Sequence, residues 1–340
     1  MKRLIALLAA LCLTLSGCAA PQAEKKQYTA TFLTLFDTVT TIVGRWDSQE
    51  GFADAAQAVH DQLLEYHQLF DIYNDYEGLN NLKTVNDQAG IAPVAVDSRI
   101  LELLTDCKTY YQLTDGRVNV AMGSVLSLWH DARTEGINDS QNASLPSKDA
   151  LTAAAAHTDL DKLILDAEAG TVYLSDAQMR LDVGAVAKGW AAQRVSETAP
   201  AGLLISVGGN VCATGPKDAS GTPWVVGIQD PDGGDQYLHT LAVTKGAVVT
   251  SGDYQRAYTV DGKTYHHIID PGTLYPGTLW RSVTVVCPDS GLADALSTAL
   301  FLLPLYAGKA LLADLDAEAM WVDAQGNLYY SANFEPLIRT

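Results

Sequence analysis

Two oxygen-bearing side chains lie four residues apart in the segment GLADALSTALFLL, residues 291–303. An i, i+4 spacing places Asp294 and Thr298 on the same side of a helix. A carboxylate and a hydroxyl are both hard oxygen donors, a combination that suits Mg²⁺ far better than Zn²⁺. The alternative is structural, because an aspartate near the start of a helix commonly caps its free amide groups. By itself the pair predicts either a magnesium site or a helix cap.

The segment LDVGAVAKGW, residues 181–190, combines an acidic residue, two glycines and a lysine. This pattern is typical of an extended segment that passes through a turn into a helix. The open backbone at a helix start can hold the negative charge of a ligand or offer a carbonyl to a metal, with Asp182 and Lys188 as side-chain partners. In the alternative interpretation, Gly184 and Gly189 only relieve backbone strain and the lysine is solvated.

The segment HHIIDP, residues 266–271, places two histidines before an aspartate and a proline. An imidazole titrates near neutral pH and can accept a proton there. Successive residues of a strand point to opposite faces, so a strand over 265–269 would let only one of His266 and His267 reach a site. The alternative for such a histidine is a hydrogen-bonded structural role.

The pattern of apolar residues along the chain predicts a mixture of helices and strands. Spacings of three and four residues predict helices over 52–70, 100–111 and 291–303. Between residues 203 and 287, short apolar segments separated by Gly, Pro and Asp predict strands. The polar segment 130–148 predicts a surface loop. We expect an α+β protein with two lobes that share one core and leave a cleft between them.

The N-terminal segment has the features of a bacterial lipoprotein signal. Lys2 and Arg3 precede an apolar run that is too short to span a bilayer. The following LSGC, residues 15–18, resembles a lipobox, in which cleavage leaves a lipidated Cys18 at the N-terminus. The alternative is an ordinary signal-peptidase site beside a lone cysteine. We expect a mature protein held by acyl chains at the extracytoplasmic face of a bacterial cell membrane, divided into a signal peptide (1–17), a tether (18–29) and one globular domain (30–340).

Charge and cysteine content exclude several classes of partner. The chain of 340 residues has a formal net charge of −18. Such acidity argues against nucleic acid and anionic lipid as partners, and it indicates that an anionic substrate would need a metal ion to bind. Beyond the N-terminal segment the cysteines are odd in number and lack metal-ligand spacing, which favours core packing over disulfides for Cys107, Cys212 and Cys287.

Taken together, six sequence blocks resemble the signature of the ApbE family, whose members are FAD:protein FMN transferases and often lipoproteins. The blocks follow in the family's order and span nearly the whole mature chain: FDIYND (70–75), LDVGAVAKGW (181–190), ISVGGNVCATG (205–215), VGIQDP (226–231), TSGDYQRAYTVDGKTYHHIIDPGTLYP (250–276) and VTVVCPDSGLADALSTAL (283–300). The resemblance implies an ApbE-like fold and Mg²⁺-dependent transfer of the FMN moiety of FAD to a threonine or serine hydroxyl of a target flavoprotein, with release of AMP.

Matched block by block, the resemblance implies roles for nine residues. The family's Mg²⁺ ligands correspond to Asp294, Thr298 and the main-chain carbonyl of Ala185. Its proton-accepting histidine corresponds to His267. Its contacts to FAD correspond to Tyr73, Asp182, Lys188, Ile269 and, through the L-W element after VLSL, Trp129.

Two departures from the family pattern accompany these matches. Gly272, Thr273 and Leu274 follow HIIDP, where the family usually has an arginine or polar residue and then glycine. Asn119 and Ala121 occupy the acidic and threonine positions of the common F-D-x-T-V-G-P-L form. Both departures concern loops beside the FAD site.

The resemblance leaves two other functions open. One is Mg²⁺-dependent hydrolysis of FAD to FMN and AMP, with water as the nucleophile. The other is carriage of FAD by a non-catalytic surface lipoprotein. For a transferase, family analogy implies that the acceptor is a membrane-associated or secreted redox protein.

Overall fold

The computed structural model describes residues 25–234 and 236–339. The predicted signal peptide, Cys18 and most of the predicted tether (18–29) lie outside these residues. The first described strand begins at Lys26, four residues before the predicted domain boundary at residue 30. In the described part of the chain no helix is long and apolar enough to cross a membrane.

The described residues form eight α-helices and fifteen strands, and this mixture confirms the predicted α+β class. The helices α1 to α8, in chain order, are Gln49–Phe70, Leu82–Asp87, Ser98–Leu113, Gly123–Asn138, Lys148–Ala155, Ala187–Thr198, Ser290–Leu302 and Leu305–Leu312. The strands β1 to β15 are Lys26–Phe32, Thr40–Trp46, Val94–Ala95, Leu163–Asp166, Thr171–Leu174, Leu203–Val207, Asn210–Ala213, Trp224–Gln229, Tyr237–Val243, Gly246–Gly252, Tyr258–Val260, Lys263–Tyr265, Ser282–Cys287, Glu318–Val322 and Leu328–Tyr330.

An antiparallel sheet of eight strands organises the chain, in the order β1-β2-β6-β7-β10-β13-β14-β15. Helices α1 and α6 pack against one end of one face, and α7 packs against β10 and β13 on that face. The β8–β9 hairpin covers part of the opposite face around Phe334. The centre of the sheet is therefore buried on both sides, which explains why β10 and β13 have no charged residues.

Two further hydrophobic clusters lie beside this sheet. In α3, the predicted positions Ile100, Leu104 and Cys107 are buried together with the small β3-β5-β4 sheet. Helices α4 and α5 and the β11–β12 hairpin form the second cluster. Cys107, Cys212 and Cys287 are all free and buried, which confirms their predicted role in core packing.

The predicted surface loop over 130–148 is wrong in its first half. Helix α4 continues to Asn138, and only residues 139–147 connect it to α5. The sequence of this segment is polar because one side of the helix faces solvent, whereas Trp129 and Gly136 on the other side are buried. A Cβ atom on Gly136 would lie 2.7 Å from the Tyr258 ring, so close packing against β11 holds the helix.

The predicted strand over 265–269 is also wrong, because β12 ends at Tyr265. The Ile268 amide donates to His266 Nδ1 over 3.2 Å instead of continuing a strand ladder. A side chain two residues back thus takes the place of a partner strand. Alternation along a strand therefore does not apply to the two histidines.

Candidate active site

A cavity of about 460 Å³ lies between α4, the start of α6, α7 and the segment that follows β10. Its wall includes every site residue predicted from the sequence within the described residues, namely Tyr73, Trp129, Asp182, Ala185, Lys188, His267, Ile269, Asp294 and Thr298. The fold thus brings together residues that are far apart in the sequence. Cys18, the predicted lipidation site, lies outside the described residues.

The turn over 181–190 brings α6 into close contact with α7. A Cβ atom on Gly189 would lie 2.3 Å from the Ser290 carbonyl oxygen and 2.5 Å from Asp294 Cβ, so a larger residue does not fit without movement. The Gly189 amide donates to Asp294 Oδ2 over 2.9 Å. The glycine therefore serves the contact between two helices and holds the carboxylate of the second one.

Asp294 lies in the interior of α7 and does not cap it. The cap is Asp289, whose side chain accepts a hydrogen bond from the Leu292 amide. Burial raises the pKa of the Asp294 carboxyl, while Lys188 and the Gly189 amide oppose this rise. Lys188 Nζ is 3.9 Å from Asp294 Oδ2, too far for a hydrogen bond. A buried carboxylate with so distant a cationic partner is a position where a metal ion can bind.

The cavity wall near Asp294 offers residue types whose oxygen atoms suit a hard divalent cation. Thr298 follows one turn later on α7 and lines the same cavity. In the described residues no backbone amide donates to the Ala185 carbonyl, because the Gly189 amide bonds to Asp294 instead. The described residues contain no group of three or more His, Cys, Asp or Glu side chains that could hold a metal. One carboxylate, one hydroxyl and one carbonyl nevertheless fit Mg²⁺, which is commonly bound by one or two carboxylates together with substrate phosphates.

The two adjacent histidines differ in their hydrogen bonds. A carbonyl oxygen only accepts, so His266 Nε2 donates to the Gly277 carbonyl over 2.7 Å, and His266 Nδ1 accepts from the Ile268 amide. His267 Nδ1 donates to the Gln255 carbonyl over 3.1 Å. Neutral His267 therefore has an unprotonated Nε2 that can accept a proton. The protein uses both nitrogens of His266, which leaves His267 as the available base.

Electrostatics keep His267 neutral. Burial lowers the pKa of its imidazole to about 3, and the cations Arg256 and Lys188 contribute to the decrease. Both His266 and His267 line the cavity, so the expectation that only one of them reaches the site is wrong. Their hydrogen bonds, not their direction along a strand, distinguish them.

Four cationic side chains line the cavity, together with three carboxylates, in a chain that is strongly acidic overall; the cations are Arg117, Arg133, Lys188 and Arg256. Arg117 Nη1 pairs with Asp270 Oδ1 at 3.0 Å. Within the described residues neither Arg133 nor Arg256 forms an ion pair with a carboxylate, and Arg256 Nη2 donates to the Phe36 carbonyl over 3.4 Å. The cavity thus has cations of its own for an anionic substrate, in addition to the metal ion that the net charge predicts.

Aromatic rings form another part of the wall. Tyr73 is 53% exposed, and its ring centroid lies 5.3 Å from that of His130, so it can offer a face to a planar ligand. Trp129 is buried, and its Nε1 donates to the Leu274 carbonyl over 2.9 Å. Leu274 has a φ of 64°, and its carbonyl position depends on this left-handed conformation. Leu274, part of the departure from the family pattern after HIIDP, thus provides the hydrogen-bond acceptor that holds the Trp129 ring.

Several cavity residues have no assigned role in the sequence analysis. Arg133 falls in the segment predicted as a loop, and only α4 places it at the cavity. Asn210, Ser251 and Arg256 lie inside the blocks ISVGGNVCATG and TSGDYQRAYTVDGKTYHHIIDPGTLYP, which gives a signal for their region but not for their function.

Comparisons with known proteins agree with this geometry. The model of the ApbE family matches residues 35–321. The FAD:protein FMN transferase of Treponema pallidum is 35% identical over 277 residues, covering 76% of this chain and 75% of that protein. One from Klebsiella pneumoniae is 32% identical over 295 residues, covering 82% and 89%. The crystal structure of the ApbE protein of Thermotoga maritima aligns with a TM-score of 0.80 at 29% identity, over 93% of this chain and 100% of that one.

Proposed function

The chain belongs to the ApbE family, and from this premise we infer that it is a flavin transferase that moves FMN from FAD to a protein acceptor. One observation supports the chemistry of flavin transfer. His267, which has a free Nε2, lines a single cavity together with Asp294, Thr298 and Ala185, the residues proposed to hold Mg²⁺. A proton acceptor and a cation site beside one pocket are what phosphoryl transfer to an alcohol requires.

We propose that the acceptor group is a threonine or serine hydroxyl of a flavoprotein. Its oxygen attacks the FMN-side phosphorus of FAD, and the bond from this phosphorus to the bridging oxygen breaks. AMP leaves with the bridging oxygen and its electron pair, and FMN stays on the acceptor as a phosphodiester. The hydroxyl proton passes to His267 Nε2, and such general-base assistance contributes about 10²- to 10⁴-fold.

Charge neutralisation is the second requirement, because a neutral oxygen must approach an anionic phosphate. We propose that Lys188, Arg133 and Arg256, which line the cavity, offset the charge of the pyrophosphate and hold it in line. We propose that Mg²⁺ is held by Asp294, Thr298 and the Ala185 carbonyl, and when bound it would supply further neutralisation.

The FAD molecule is expected to contact the remaining predicted residues of the cavity. The exposed ring of Tyr73 is available for stacking, and Asp182 stands at the turn before α6, where its Oδ1 accepts from the Gly184 amide over 2.8 Å. Ile269 and Trp129 would line the apolar part of the site. These assignments extend the inference from the reaction to the orientation of its substrate.

We also propose that lipidated Cys18 anchors the mature protein at the extracytoplasmic face of a bacterial cell membrane. The support is the sequence LSGC after a short apolar run. The first described strand begins at Lys26, eight residues after Cys18. The acceptor would then be a flavoprotein on the same side of the membrane.

The test follows the fate of the flavin. The purified enzyme is incubated with FAD, Mg²⁺ and the membrane and secreted proteins of the organism that encodes it. We expect flavin fluorescence that remains on a protein band after denaturing electrophoresis. Free FMN and AMP without a fluorescent band would indicate an FAD pyrophosphatase, and unchanged bound FAD would indicate a carrier.

A further inference from the structure

A chain of hydroxyl groups leads from the cavity wall into α7. Ser251, near the end of β10, lines the cavity, and its Oγ is 2.8 Å from Ser297 Oγ. Ser297 is fully buried, and its Oγ donates to the Asp294 carbonyl oxygen over 2.9 Å. This hydrogen-bonded chain of hydroxyls therefore ends at the backbone of Asp294, whose carboxylate is a proposed metal ligand.

The protons of these hydroxyls fix the direction of the chain. Ser297 has one proton, which it uses on the Asp294 carbonyl, so towards Ser251 it can only accept. Ser251 must then donate its own proton to Ser297, away from the cavity. On its cavity side, Ser251 Oγ has only lone pairs left.

An oxygen that offers only lone pairs favours a cation or a hydrogen-bond donor over another acceptor. The phosphate oxygens of FAD are acceptors and anionic, so they would be repelled, whereas a cation would be attracted. Lys188 Nζ donates to the Gly184 carbonyl over 3.2 Å, and in the described residues it forms no hydrogen bond with Ser251. Strand β10 packs on α7, the helix that carries Asp294 and Thr298.

From this geometry we infer that Ser251 is a further oxygen ligand of the divalent cation at Asp294, Thr298 and Ala185. This inference rests on the metal site of the proposed function. It adds a ligand from the central sheet to ligands that come from α7 and from the turn before α6. Ser297 acts as a positioning residue, because it holds the Ser251 proton away from the cation.

Manganese binding tests the inference without measuring activity. Free Mn²⁺ is quantified by electron paramagnetic resonance in solutions of the purified protein and its variants, and thermal unfolding confirms that each variant is folded. We expect Ser251→Ala to weaken Mn²⁺ binding by about tenfold or more, the range found when groups that support a metal are removed. Ser297→Ala frees the Ser251 proton to turn towards the cation, and we expect a smaller weakening.

The matched control is Thr284→Val. Thr284 lies on β13, the strand next to β10, and its Oγ1 is 2.8 Å from Thr250 Oγ1. This pair of hydroxyls forms no hydrogen bond with Ser251 or Ser297 in the described residues. This variant should bind Mn²⁺ like the wild-type protein. Equal weakening in Thr284→Val and Ser251→Ala would indicate a general effect on the sheet and would overturn the inference.

A change of metal preference gives a second, positive test. In Ser251→Cys a soft sulfur replaces the hydroxyl oxygen, so the variant should lose affinity for Mn²⁺ and gain affinity for Cd²⁺ relative to wild type. If Ser251→Ala and Ser251→Cys both bind Mn²⁺ as the wild type does, Ser251 is not a ligand. If the wild-type protein itself binds no Mn²⁺, the metal part of the proposed function fails first, and the inference fails with it.

Discussion

At the scale of single residues, the choice of base depends on which ring nitrogen the protein leaves free. His267→Gln should lower the rate of flavin transfer by about 10²- to 10⁴-fold, because no imidazole remains to take the hydroxyl proton. The affinity for FAD should change little. His266→Gln should keep most of the rate but lose stability, because the Gly277 carbonyl and the Ile268 amide lose well-placed partners. Rates of covalent flavin formation and thermal unfolding of both variants check this, and a folded but inactive His266→Gln beside an active His267→Gln would reverse the assignment.

The environment of His267 also predicts the pH dependence of the enzyme. Because burial lowers its pKa to about 3, kcat/KM for FAD, which reports the free enzyme, should show no acid limb at the ordinary histidine pKa of about 6.5. The folded pKa lies below the unfolded one, so protonation favours the unfolded chain. The stability contributed by the neutral ring is complete above about pH 6.5 and is lost as pH falls towards 3. Between pH 7 and 5, His267→Gln should therefore lose less stability than wild type, and an acid limb near pH 6.5 would contradict this account.

Asp294 combines a proposed role in metal binding with a structural one. Asp294→Ala should both abolish transfer and lower the free energy of unfolding by about 1–3 kcal/mol, because the Gly189 amide is left buried without its acceptor. Asp294→Asn retains an oxygen acceptor for that amide but removes the charge, so it should be nearly as stable as wild type and still inactive. Urea denaturation and Mg²⁺-dependent transfer assays separate the two effects. Full activity of Asp294→Asn in the presence of EDTA would remove Mg²⁺ from the mechanism.

The sequence is informative about which residues meet, and less so about how they are held. The family resemblance identifies nine positions, eight in the motif blocks and Trp129 in the L-W element, and all of them line one cavity. The bond from Gly189 to Asp294 is not visible in the sequence, because it joins residues 105 positions apart on two helices. The free nitrogen of His267 depends on the Gln255 carbonyl, whose position only the folded loop determines.

At the scale of elements, the contact between α6 and α7 positions the carboxylate of Asp294, a proposed metal ligand. Gly189→Ala would place a methyl group 2.3 Å from the Ser290 carbonyl oxygen, so the helices must separate. We expect a loss of about 1–3 kcal/mol in the free energy of unfolding, as for other overpacked contacts, and a large loss of transfer because Asp294 moves. Gly78→Ala is a suitable control, since a Cβ atom there meets no atom within 4 Å, although its φ of 74° adds a small strain. An active Gly189→Ala with wild-type stability would show that this contact is not required.

Element boundaries follow from the sequence where the apolar pattern is strong. Helix α1 follows its pattern of three- and four-residue spacings, and α7 ends before Pro304 as predicted. The sequence does not predict helix α4, because its exposed side is polar and only a few of its positions, such as Trp129, are buried. The end of β12 at Tyr265 is not predicted for another reason. The Ile268 amide donates to the His266 side chain, where a strand would donate to a neighbouring strand.

At the scale of the whole molecule, the proposed anchor is far in sequence from the residues that line the cavity. Cys18→Ser removes the thiol that would carry the lipid and changes no residue of the cavity wall. We expect the variant to be released or left unprocessed, with transfer activity retained. Cell fractionation and mass spectrometry of the N-terminus check this. An unmodified Cys18 in wild-type protein from the membrane fraction would contradict lipidation.

Overall charge is a poor guide to the local charge of the site. A formal net charge of −18 describes the surface as a whole, yet Arg117, Arg133, Lys188 and Arg256 converge on one cavity. A count of charges cannot predict this, because the fold collects the cations from distant segments. The cavity is thus suited to the pyrophosphate of FAD, while the acidic surface disfavours nucleic acid.

Transfer of FMN to a protein hydroxyl can be read from the mass of the acceptor protein after the reaction. An acceptor found by its covalent fluorescence is purified, incubated with the enzyme, FAD and Mg²⁺, and analysed by intact mass spectrometry while released AMP is quantified. We expect the acceptor to gain the mass of one FMN phosphodiester on a threonine or serine, with one AMP released for each flavin attached. Replacing this residue by valine should prevent the gain. Release of AMP and FMN with an acceptor of unchanged mass would contradict the central claim.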